Sequence, residues 1–164
     1  GGYMLFTLNR KALIADTEGL HAMVNAVAKA ATGMPVVAPL RGLARKAVEE
    51  ALEPELKGVF HIVEPVGYLE FGWLAAHAAG VITDSGNVAE EATFNDVPCL
   101  TLNDYTEHIE TVKVGTNELV GEDPEKITAA IDAIRNNKWK KAQIPDRWDG
   151  RSAERILQVL VAGN

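Results

Sequence analysis

The residues best suited to chemistry lie in one stretch, Gly80 to Ala92, with the sequence GVITDSGNVAEEA. Val81, Ile82 and Thr83 read as the end of a short buried strand, Asp84-Ser85-Gly86-Asn87 as a tight turn, and Val88 onward as a helix that opens with Glu90 and Glu91. Strand, Gly-containing turn and helix in this order build an anion site. The first helical N–H groups lack an intrahelical acceptor, and the helix dipole adds partial positive charge. Ser85 adds a hydroxyl donor, and Gly86 removes the Cβ that would hold a phosphate away from the backbone. A carboxylate one turn further in can accept hydrogen bonds from the vicinal hydroxyls of a ribose. The pattern points to a nucleotide diphosphate. On residue types alone, Glu91 is explained equally well as a first-turn acid and Glu90 better so, while Asp84 reads as a turn former whose side chain ties its own loop.

The elements that must position this turn follow from hydrophobic period. Tyr3 to Leu8 is a continuous apolar run of strand length, followed by the polar loop Asn9-Arg10-Lys11. From Asp16 or Thr17 as N-cap, Leu20, Met23, Val24, Val27 and Ala31 recur at helical spacing up to Gly33. Met34 to Ala38 is a second strand. Leu43 to Leu52 is a second helix with Leu43, Ala47, Val48 and Ala51 on one face and Pro54 as its stop. Val59 to Val63 is a third strand, and Glu64 to Gly67 turns into a helix carrying Tyr68, Phe71, Leu74, Ala75 and Ala78 inward. After the Gly80 to Ala92 stretch come a strand at Pro98 to Leu102, a polar loop at Asn103 to Glu110 and an edge strand at Thr116 to Val120. Asp123-Pro124 opens a helix with Ile127, Ala130, Ile131 and Ile134 inward. Lys138 to Arg147 is a polar connector, and Asp149 to Val161 is a closing helix with Ala153, Ile156, Leu157 and Leu160 inward.

Strand and helix alternate throughout, which predicts one α/β domain: a Rossmann-like, three-layer arrangement with a mostly parallel sheet of six strands. Such a sheet gathers function at the carboxyl ends of its strands. Asn9-Arg10, Leu40-Arg41, Glu64 to Tyr68, Asp84 to Asn87 and Asp104 to Glu110 then form one rim.

Composition narrows the ligand classes. A chain of 164 residues with 47% hydrophobic and 24% charged residues is ordinary for a single globular domain. The net charge of −7 and the lack of a Lys/Arg cluster argue against nucleic acid. The single Cys99 excludes an internal disulfide, reads as core, and fits a reduced, cytoplasmic setting. No apolar run reaches membrane-spanning length, and no signal peptide is expected. GxGxxG after the first strand is absent, so no NAD or FAD is expected, and Gly-x-Ser-x-Gly is absent too. His21, His61, His77 and His108 show no metal spacing, so neither metal nor cofactor is expected. Gly1-Gly2 ahead of Tyr3, without an initiator Met, reads as a cloning scar on a fragment.

The segments TDSGNVAEEA and YTEHIETVKVGTNELVG resemble the C-terminal domain of UDP-N-acetylglucosamine 2-epimerases, whose pattern there is TDSGG, an EE pair, a strand, TERPE and LVG. YMLFTLNR resembles the family's TLHR strand and loop, EPVGYLEF its PLGYLDF segment, and WDGRSAERI its closing helix. The resemblance implies one half of a glycosyltransferase-B-type fold, lacking the N-terminal Rossmann-like domain, and it admits a homodimer of the full-length protein. It further implies that Ser85, Gly86 and Asn87 meet the diphosphate of UDP or a UDP-sugar. Glu91 would bind the ribose, Gly67 to Phe71 would hold the uracil against Phe71, and Arg10 would lie near the phosphates. The implied reaction is epimerisation at C2 by elimination and re-addition of UDP, a step of cell-envelope polysaccharide synthesis, with the proton-transferring carboxylates largely on the other domain. No catalytic residue is assigned in this chain. Asn9 stands where the family has a His implicated in catalysis, Leu40 replaces a second His, Asn87 replaces the second Gly of SGG, and His108-Ile109 replaces Arg-Pro. These departures leave open a catalytically degenerate sugar-nucleotide module, and a glycosyltransferase-B-type transferase remains the third reading.

Overall fold

The structure, a computed structural model, describes residues 2–163, so Gly1 of the Gly1-Gly2 pair lies outside it. Its order is β1 (Met4–Phe6), α1 (Lys11–Ala15), α2 (Thr17–Ala30), β2 (Val36–Pro39), α3 (Gly42–Ala51), a 3-10 turn (Pro54–Val59), β3 (Phe60–Val63), α4 (Tyr68–His77), β4 (Gly80–Thr83), α5 (Gly86–Phe94), β5 (Cys99–Thr101), α6 (Ile109–Lys113), β6 (Asn117–Leu119), α7 (Pro124–Arg135) and α8 (Ser152–Ala162). Every strand pair is parallel, and the six strands run β3-β2-β1-β4-β5-β6. The alternation predicted a parallel, Rossmann-like sheet of six strands with β6 at an edge; the order puts β6 at one edge and β3 at the other.

The period of two along the strands sorts their side chains between two layers. Met4, Phe6, Ile82 and Leu100 join a cluster with α2, α3 and α7, while Leu5, Val81 and Cys99 join a cluster with Ala75 of α4 and Ala89 and Ala92 of α5. Phe6 and Phe60 meet edge to face at 5.4 Å between ring centroids. Asp16 caps α2 by accepting from the Gly19 N–H, and Asp123 caps α7 by accepting from the Glu125 and Lys126 N–H groups.

Several expectations are corrected. Leu43 and Tyr68 are 77% and 79% exposed, because the buried stripe of α3 runs through Ala44, Val48 and Ala51, and α4 turns Ala75 inward with Tyr68 off that stripe. The expected loops after β1 and β5 run into the short helices α1, which takes Lys11, and α6, which takes Ile109 and Glu110. α5 begins at Gly86, two residues before the expected start. The largest departure is α8, where Ala153, Ile156, Leu157 and Leu160 do not face inward and no residue of the helix is buried. Its periodicity reports an apolar face correctly, but the connector carries it where, among the described residues, no layer covers that face.

Candidate functional site

The strand order reverses at β1, which has β2 on one side and β4 on the other, and the crevice at the carboxyl ends of β1 and β4 is where such folds bind ligands. Thr7 and Thr83 close the two strand ends with a buried Oγ1–Oγ1 hydrogen bond of 2.6 Å, and the Ser85 N–H donates to Thr83 Oγ1 at 3.0 Å. Asp84 does not tie its own loop. Its Oδ2 accepts the N–H groups of Asn9 at 2.7 Å and Arg10 at 2.5 Å, clamping the β1 exit to the β4 exit. Its carbonyl accepts from Asn103 Nδ2 at 3.3 Å, and Asn103 Oδ1 accepts from Arg10 Nη1 at 2.6 Å. Arg10 Nη2 reaches the Leu102 carbonyl and forms an ion pair with Glu122. The exits of β1, β4, β5 and β6 are thereby one polar network, and the guanidinium of Arg10 is turned into it.

Ser85 is the N-cap of α5, with extended backbone, and no side chain caps this helix. α5 shares this with α1, α3, α4, α6 and α8, and differs from α2 and α7; what sets it apart is its place at the switch point, where its first N–H groups are left for another acceptor. Against the first residue of α5 lies His108. A Cβ on Gly86 would come within 2.5 Å of His108 Cδ2 and 2.7 Å of its Nε2, so only glycine fits beneath the ring as placed. His108 Nδ1 pairs with Glu90 Oε1 at 2.7 Å. Its N–H donates to Thr106 Oγ1 at 3.0 Å, and its carbonyl accepts from Thr111 Oγ1 at 2.7 Å and the Thr111 N–H at 3.0 Å. Thr111 is in turn held by the buried chain Thr101 to Asn117 to Thr111, with bonds of 2.7 and 3.1 Å.

Two cavities open along α5. One of about 390 Å³ is lined by Asn9, Leu40, Phe71 and Val88; another of about 560 Å³ is lined by Tyr68, Glu90, Glu91 and Trp148. Phe71 is half-buried, and its N–H donates to the Gly67 carbonyl at 2.9 Å. Asn9 and Asn87 are exposed on the rim. The expected site residues thus fall on one rim, but Phe71 and Glu91 do not share a cavity. His108 was expected on the rim, but its pairing with Glu90, and the parts played by Asn103 and Glu122, were not anticipated. The parallel register alone places Glu122 on the rim, just beyond β6. Among the described residues no group of His, Cys, Asp or Glu could hold a metal ion, and no helix is long and apolar enough to cross a membrane.

Sheet order and rim together define a Rossmann-like domain of the glycosyltransferase-B type, with an uncapped helix at its switch point. The profile of the UDP-N-acetylglucosamine 2-epimerase family matches residues 1–161, and the chain belongs to that family. It is 38% identical to a UDP-N-acetylglucosamine 2-epimerase of Methanocaldococcus jannaschii, over 98% of this chain and 45% of the relative. It is 35% identical to a UDP-2,3-diacetamido-2,3-dideoxy-D-glucuronate 2-epimerase of Pseudomonas aeruginosa, over 97% and 44%. The crystal structure of the M. jannaschii epimerase in complex with UDP-GlcNAc and UDP superposes with a TM-score of 0.79 at 35% identity, covering 98% of this chain and 45% of that one. The chain therefore spans about half the length of the relatives it matches.

Proposed function

We propose that this chain is the UDP-binding domain of a UDP-N-acetylglucosamine 2-epimerase-type enzyme, acting together with a second Rossmann-like domain. The observation that carries the reading is the uncapped start of α5 at the switch point, with Ser85 and Gly86 at its mouth, in a family with a relative solved in complex with UDP-GlcNAc and UDP. In this reading the free N–H groups of α5 and the Ser85 hydroxyl receive the diphosphate, Glu91 takes the ribose hydroxyls, and Phe71, with Gly67 at its turn, holds the uracil. Asn87 lies at the edge of the phosphate pocket.

The reaction proposed is interconversion of UDP-GlcNAc and UDP-ManNAc. UDP leaves as the C2 proton is removed, giving a 2-acetamidoglucal, and returns as that proton is replaced. Negative charge grows on the departing diphosphate, so preformed donors at the helix start stabilise the leaving group where charge develops. The groups that move the C2 proton belong to the second domain, and the uncovered apolar face of α8 supports the existence of such a partner. A cytoplasmic setting, a role in cell-envelope polysaccharide synthesis and pairing of the full-length protein into a homodimer complete the proposal.

Titration calorimetry with millimolar UDP tests the site. Weak binding is expected, because half of the cleft wall is missing, with further loss in Ser85→Ala and Glu91→Ala. No heat, or variants that bind like the parent, would overturn the assignment. Asn9 favours a second reading, since an amide can neither act as a general acid nor carry charge toward a leaving diphosphate. That reading is a sugar-nucleotide module without turnover, and robust UDP release from UDP-GlcNAc by the full-length protein would sink it.

A further inference from the structure

We infer that Arg41 selects the sugar of the UDP-sugar, favouring one whose C6 is a carboxylate over its neutral counterpart. The inference rests on the UDP reading of the rim and names the substrate class within it. The cavity of about 390 Å³ lined by Asn9, Leu40, Phe71 and Val88 is also lined by Arg41, and no other side chain lining it is charged. Its volume lies within the range of small-ligand sites, about 300–1,000 Å³. The guanidinium is uncommitted. Those of Arg10 and Arg45 hold Glu122, Glu49 and Glu64, whereas Arg41 has no ion pair among the described residues. The backbone that carries it is fixed on both sides. Arg41 is the N-cap residue of α3, its carbonyl accepts the Arg45 N–H at 3.3 Å, and the buried Leu40 before it donates its N–H to the Val63 carbonyl at 3.1 Å.

Place in the sheet gives the reach. Val88 lies in the first turn of α5, so one end of the cavity begins beside the proposed diphosphate, and Arg41 stands at the other end, just beyond β2. Only β1 separates β2 from β4, which makes two strand spacings of about 4.8 Å each. With the uracil against Phe71, the space beside Asn9 and Leu40 is left for the sugar, which lies across the end of β1 and presents its outer edge to Arg41. Leu40, Phe71 and Val88 are apolar, and an unpaired guanidinium among them is best matched by a carboxylate, held through two parallel N–H···O bonds. A hexose acquires that group by oxidation at C6. The carboxylate is remote from C2 and takes no part in moving the C2 proton, so the proposed reaction is unchanged. The net charge of −7 sharpens the demand, because a further negative charge on the ligand is disfavoured unless a local cation meets it.

The test is a nuclear magnetic resonance titration of this chain with UDP, UDP-GlcNAc and UDP-N-acetylglucosaminuronate, near neutral pH and at physiological salt. The uronate is expected to bind about tenfold more tightly than UDP-GlcNAc, the size of one charge-assisted contact at an exposed position. In Arg41→Gln, which keeps a long polar side chain without the charge, that order should reverse, while UDP and UDP-GlcNAc bind as they do to the parent. Equal affinity of the parent for the two sugar nucleotides overturns the inference and leaves the UDP site standing. An equal loss of all three ligands in Arg41→Gln also overturns it, since Arg41 would then serve the nucleotide or the fold. A parent chain that binds none of the three removes the UDP reading itself, and this inference falls with it.

Discussion

One carboxylate oxygen of Asp84 accepts two backbone N–H groups, those of Asn9 and Arg10, from the end of the neighbouring strand. Both donors would lose their acceptor in Asp84→Ala, and an unpaired, partly buried N–H costs about 1–3 kcal/mol. Urea unfolding of that variant should show a loss in this range, together with weaker UDP binding as the β1 exit loosens against α5. At Gly86 the same rim makes a second demand. The side chain of Gly86→Ala would enter the space of His108 Cδ2 and displace the ring from Glu90, so a loss of UDP affinity with little loss of stability is expected, measured by paired titration and unfolding curves. The turn itself was legible in the sequence, since strand end, Gly and helix start are consecutive. The clamp was not, because Asp84 and its partners are separated by 75 and 74 residues and pattern along the chain carries no sign of a pairing across strands. Arg10 shows the same limit: nothing along the chain pairs its guanidinium with Asn103, Leu102 and Glu122, which hold it from beyond β5 and β6.

Elements longer than two turns announced themselves by period and caps, as α7 did with Asp123-Pro124 ahead of Ile127, Ile131 and Ile134. Asp123→Ala removes an acceptor used by two N–H groups and should lower stability by about 1 kcal/mol, read as a shifted urea midpoint with an unchanged slope. The helices α1 and α6 span five residues each, too short to display a repeat of 3.6, so the polar residues around them read as loop. For α3 the period and three expected positions hold, since Val48 and Ala51 are buried and Ala47 packs against the core, and only Leu43 departs. Leu43 is a stronger hydrophobe than Ala44, yet the stripe that meets the sheet passes through Ala44. β5 carries the cleanest chemical readout at this scale. Burial pushes the Cys99 thiol up to about 12, so almost none of it is thiolate at pH 8. A thiol reagent should leave Cys99 unmodified in the folded chain and label it at the rate of unfolding, checked by mass spectrometry across a urea series; rapid labelling in water would contradict its place in the core.

The accessible surface is 9427 Å², against about 7,900 Å² for a compact monomer of this mass. α8 contributes apolar surface to it: Ile156, Leu157, Val159, Leu160 and Val161 are each more than half exposed. The Arg155 guanidinium holds the Asp149 carboxyl well below the usual carboxylate range, at about 2, but this pair joins the helix only to the residues just ahead of it. An 11-residue helix without tertiary support is marginal in water, because nucleation costs more than so few hydrogen bonds return. The amides of α8 should therefore exchange with deuterium far faster than those of α2 or α7 in this chain alone. Deleting residues 151–164 should leave the unfolding free energy within about 0.5 kcal/mol, since surface changes away from core contacts fall in that range. Adding the proposed partner domain, or expressing the full-length protein, should then protect α8 in hydrogen exchange and make the same deletion disruptive. Slow exchange of α8 in the isolated chain would mean that it already has a partner here, most simply a second copy, and would remove this support for a two-domain arrangement. The sequence carried half of this argument in the apolar stripe of α8. The other half, that none of the described residues covers the stripe, is a property of the assembled fold.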